Sequence, residues 1–69
     1  MLSKINSYSV KNITFIDAIA ITRLIPYESF SISQTATELT PILILNTRVK
    51  INQLQNKILS IGIDATIKN

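Results

Sequence analysis

Asp17, Glu28, Glu38 and Asp64 are the only carboxylate side chains, and they are too scattered for spacing alone to pair any two of them. Glycoside-type hydrolysis needs two carboxyl groups held a few ångströms apart, and nothing in the order of residues predicts such a pair. Histidine is absent, which removes the commonest proton shuttle and the commonest metal ligand together. Cysteine is absent as well, and with it thiolate nucleophiles, thiolate zinc sites and disulfides. Seven serines and seven threonines have no imidazole to activate them. A single glycine, Gly62, leaves no room for a Gly-x-Ser-x-Gly nucleophile elbow or a glycine-rich phosphate loop. The expectation is a non-catalytic chain with no cofactor and no metal, its acids serving as caps and surface charges.

The basic residues offer a second kind of chemistry. Seven Lys and Arg against four acids give a formal charge of +3. In the last third, Arg48, Lys50, Lys57 and Lys68 face Asp64 alone. On one helix Arg48, Lys50 and Lys57 would flank an apolar seam and meet phosphates, with Asn52, Gln53 and Asn56 beside them. No aromatic lies among them to stack a base. These three cations define the alternative reading, a small basic nucleic-acid-binding module. The plainer account of the same residues is the solvated margin of an amphipathic helix.

Composition favours a protein partner instead. A chain of 69 residues buries only about 60% of the surface its unfolded form exposes, so it is marginal without a disulfide, a metal or a partner. Charged residues make up 16% of the chain, below the roughly 25% usual in soluble domains. Fourteen residues are isoleucine, a bias that an AT-rich genome would also produce. The first residues, Met1 to Asn6, lack the continuous apolar stretch of a secretory signal, which favours an intracellular or organellar location. The apolar run from Ile13 to Ile25 is broken by Asp17 and Arg23 and is too short to span a bilayer.

The elements that must carry these residues are those of a small α+β domain. Residues 1–12 are polar, with Ile5, Tyr8 and Val10 scattered among Ser, Asn and Lys, and form an N-terminal arm or a short edge strand; residues 13–69 form the domain. A helix is expected over about 14–25, with Thr14 as its cap, Asp17 near its N-terminus, Arg23 near its C-terminus and Pro26 as its stop. A short strand follows over about 27–33.

The stretch from Thr40 to Gly62 predicts a long helix over about 41–61. Thr40-Pro41 is a helix-start signal and Gly62 a helix-end signal. The alternative is a strand over 42–50 followed by a helix over 51–61, because five of the eleven residues from Pro41 to Ile51 are β-branched. Gln53, Gln55, Asn56, Lys57 and Ser60 take the polar side of the second half. Residues 63–67 form a short C-terminal strand.

Two local resemblances bear on function. Ser33-Gln34-Thr35-Ala36-Thr37-Glu38-Leu39 resembles the first helix of a helix-turn-helix, although Thr40-Pro41 and Asn46 depart from the turn and recognition helix of that motif. Thr22-Arg23-Leu24-Ile25-Pro26-Tyr27-Glu28 resembles the apolar-Pro-Tyr segment of the small phycobilisome linker domains, and Gln53 to Ile67 echoes their helix–glycine–strand ending. That likeness spans under a third of the chain, with one glycine where the family carries two. It implies a short, basic, non-catalytic chain. The leading expectation is therefore a small structural subunit that docks onto a larger protein assembly, or self-associates, through Ile44, Ile51, Leu54, Ile58 and Ile61.

Overall fold

The computed structural model describes residues 4–34 and 40–69. Its elements run β1 (Asn6–Lys11), α1 (Phe15–Leu24), β2 (Ser29–Ser33), β3 (Ile42–Thr47), α2 (Ile51–Ser60) and β4 (Thr66–Lys68). The four strands form one sheet in the order β2-β3-β1-β4, and every neighbouring pair is antiparallel. A β-α-β-β-α-β chain whose first and second strands flank the third is the split, ferredoxin-like arrangement. The expected α+β class is what the chain adopts.

Strand period places one set of side chains on each face. In the central pair, Tyr8 lies opposite Leu45 and Val10 opposite Leu43, and all four are buried. Their neighbours along the strands, Ser7, Ser9, Ile42, Ile44 and Asn46, fall on the other face. A slip of one residue would exchange the two sets, so burial of this one face holds the register. Ala18 and Ile21 from α1 and Leu54 and Ile58 from α2 join the same core cluster. Both helices therefore cover one face of the sheet, and the serine-rich face lies opposite.

Local signals start and stop α1 as its sequence predicts. The Thr14 hydroxyl accepts from the Asp17 N–H at 3.1 Å, and the Asp17 carboxylate accepts from the Thr14 N–H at 3.0 Å. This is a complete capping box. Arg23 lies in the last turn, and Pro26 follows the C-cap at Ile25.

The expected long helix over 41–61 is instead the strand-then-helix alternative. Ile42–Thr47 is β3, and only Ile51–Ser60 is helical. β-branched residues favour the extended chain here, and Pro41 is tolerated just before a strand. No glycine separates the halves; Thr47 does. Its hydroxyl accepts from the Val49 N–H at 3.1 Å, a side-chain turn in which the oxygen replaces a backbone acceptor.

Gly62 ends α2 as expected, at φ +83. The Gly62 N–H donates to Leu59 O at 2.9 Å and the Ile63 N–H to Ile58 O at 3.3 Å, the two bonds of a Schellman motif. The polar N-terminal stretch departs furthest from expectation. Asn6–Lys11 is neither a free arm nor an edge strand but lies inside the sheet between β3 and β4.

Candidate functional site

The five residues expected to form one docking face do not share a surface. Leu54 and Ile58, one helical turn apart, are 0% and 1% exposed inside the chain's own core. Ile51 is partly buried against that core. Ile44 sits in β3 on the opposite face of the sheet, in register with Ser9 and Ser31. Ile61, just past α2, is the one member that is exposed. A seam drawn on a single helix had to break once its first residue became part of a strand.

A different apolar group takes shape at one end of the sheet. The β1–β4 register pairs Lys11 with Thr66, so the start of β4 lies beside the end of β1. α1 begins there, directly after β1, and α2 ends there, directly before β4. That end carries Phe15 and Ile16 from the first turn of α1, with Leu59 and Ile61 from the last turn of α2 and its cap. Ile16 is 80% exposed, Leu59 57%, Phe15 56% and Ile61 45%. Periodicity does not single these four out: Phe15, Ile16 and Leu59 fall outside their helices' buried stripes, Ile61 keeps the spacing of Leu54 and Ile58 but lies just past the helix, and only the topology sets the two helix termini at the same end of the sheet.

The opposite end is fastened by polar side chains. Buried Tyr8 donates from its hydroxyl to Val49 O at 2.9 Å, tying β1 to the turn before α2. Buried Thr47 donates to Pro26 O at 2.6 Å, tying β3 to the turn after α1. Arg48 pairs with Glu28 at 2.7 Å, and the Glu28 N–H donates to Asn46 O at 2.8 Å. The Tyr27 and Phe30 rings stack with centroids 5.0 Å apart.

The cations and acids take these places. Arg48 is engaged by Glu28, and its buried Nε has no hydrogen-bond partner. Lys50 is the N-cap residue of α2, with no side-chain capping bond. Lys57 lies in the last turn of that helix, about 10 Å of helical rise beyond Lys50. Asp17 belongs to the capping box, Asp64 is exposed in the turn before β4, and Glu38 lies outside the described residues. Open grooves run beside both ends of α2, one lined by Pro26, Val49, Gln53, Asn56 and Lys57 and another by Leu59, Ile63, Asp64 and Ile67 among others.

The two local resemblances land on definite elements. Residues 35–39 of the helix-turn-helix likeness lie outside the described residues, and the segment needed for its recognition helix is β3, so that motif is not formed. The helix–glycine–strand ending is present as α2, Gly62 and β4. Among the described residues no helix is long and apolar enough to cross a membrane. The fold is that of a small two-layer α+β domain. Compared with family models, with curated proteins and with solved structures, the chain matches none.

Proposed function

We propose that this chain is a non-catalytic interaction module that docks onto a larger protein assembly through its apolar end. The observation that carries the reading is that four large apolar residues, Phe15, Ile16, Leu59 and Ile61, each at least 45% exposed, lie at the same end of the sheet, where α1 starts and α2 stops. Single exposed apolar residues are ordinary on a protein surface, whereas a group of large ones marks a contact site. The residue inventory, without histidine or cysteine, points the same way. A nucleic-acid role draws less support, because Arg48 is already paired with Glu28.

The test is the size at which the chain travels in its own cells. Gel filtration of gently lysed producing cells is expected to carry the wild-type chain in a large complex, and the variant with both Ile16→Lys and Leu59→Lys as a free small protein. Wild-type chain running no larger than its own dimer would overturn the reading.

A further inference from the structure

The two edges of the sheet are protected very differently. β4 has three residues and carries Lys68, the short, charged form by which natural edges resist pairing. β2, at the other edge, has five residues, Ser29-Phe30-Ser31-Ile32-Ser33, with no charge and no proline. Among the described residues it pairs with β3 on one side only, so alternate backbone groups along its outer side point away from the sheet.

The side chains of β2 repeat symmetrically about Ser31, with serine at 29, 31 and 33 and a large apolar residue at 30 and 32. We propose that β2 pairs antiparallel with the β2 of a second copy, on a two-fold axis through Ser31, and joins two sheets into one of eight strands. Ser29 then lies opposite the other copy's Ser33, Phe30 opposite its Ile32, and the two Ser31 residues face each other. A two-fold contact needs a surface complementary to itself, and this strand has one. Phe30 and Ile32 lie opposite Leu45 and Leu43 of β3, which places both on the helix-covered face. The Phe30 ring, 39% exposed in the single chain, is covered by the incoming Ile32, an aromatic–β-branched pair of the kind that stabilises sheets.

Among the described residues, charge raises no barrier to this pairing. Glu28, the charge next to the strand, is held by Arg48 and falls opposite Gln34 of the other copy rather than opposite a like charge. Lys11 and Lys68 lie on β1 and β4, away from the joining edge. A second copy is preferred over an unrelated extended segment because the pattern matches its own reverse. The pairing uses none of the apolar-end residues and is independent of the docking reading.

Sedimentation equilibrium of the full chain tests the pairing. The wild type is expected at twice its 7.7 kDa mass. Ser31 is exposed and keeps its N–H in either variant, so Ser31→Lys and Ser31→Glu leave the core untouched while setting like charges face to face. Each variant alone is expected to dissociate at least tenfold more readily. Mixed in equal amounts, the two are expected to recover a dimer, which poorly folded variants would not do. In wild-type protein, with no substitution, β2 amides are expected to exchange more slowly as concentration rises. A wild-type monomer up to millimolar concentration would overturn the proposal. So would a dimer indifferent to Ser31→Lys but dissociated by Ile16→Lys, or a monomer whose β2 amides are protected only by an added extended peptide.

Discussion

Where β3 gives way to α2, three side-chain contacts tie two loops, 25–28 and 48–50, to strands distant in sequence and to each other. Tyr8 reaches Val49 at 2.9 Å, Thr47 reaches Pro26 at 2.6 Å, and Arg48 meets Glu28 at 2.7 Å. Where α1 begins and α2 stops, the hydrogen bonds are local ones, the capping box of Thr14 and Asp17 and the Schellman motif around Gly62. Phe15, Ile16, Leu59 and Ile61 stand exposed there. Both ends join the same two layers over the same core. The first ties its loops through polar side chains, with Ile5, Tyr27 and Phe30 partly exposed beside them, and the second leaves more apolar area in water at a cost of roughly 25 cal/mol per Å². A domain this small has little core to spare, so an uncovered apolar end is the feature that points to a partner.

The contrast between inward and outward apolar residues predicts the largest effect. Leu54→Ala removes a fully buried side chain and should lower unfolding free energy by about 2–5 kcal/mol, enough to unfold much of a marginal domain. Urea denaturation measures it. A loss near zero would mean that Leu54 belongs to a contact face after all. Thr47→Val comes next. It leaves Pro26 O without its donor and the Val49 N–H without its acceptor, which should cost about 1–3 kcal/mol in the same titration. A neutral result would remove the distinction between the fastened end and the bare one. The smallest change in stability is expected from the doubly substituted Ile16→Lys, Leu59→Lys chain, within about 0.5 kcal/mol of wild type. A large loss there would show that those side chains serve the core.

What could be read from the sequence is what local chemistry decides. α1 follows from Thr14, Asp17 and Pro26, residues that act within a turn or two of themselves. α2, the second half of the expected 41–61 helix, follows from Leu54 and Ile58 at helical spacing and from Gly62 at its end. A strand at β1 was one of two readings, but its interior position was hidden because only Tyr8 and Val10 face the core, between serines on the other face. Its place in the sheet depends on β3 and β4, strands far along the chain. The break between β3 and α2 was legible only as the second choice, a strand over 42–50 and a helix over 51–61, because Thr47 makes its turn with a side chain instead of glycine or proline. The apolar end depends on which isoleucines and leucines the core takes in, and that is settled only when two separate β-α units pack together. Leu54 and Ile58 went inside, and Ile16 and Leu59 stayed out.

The central claim is that the chain meets its partner through that end, and site-specific photo-cross-linking in the producing cell tests it most directly. A photoreactive residue at position 16 or 59 should give a discrete, larger adduct, and one at Gln53, on the polar side of α2 near the fastened end, should give none. Equal adducts from all three positions, or adducts from position 53 alone, would contradict the account.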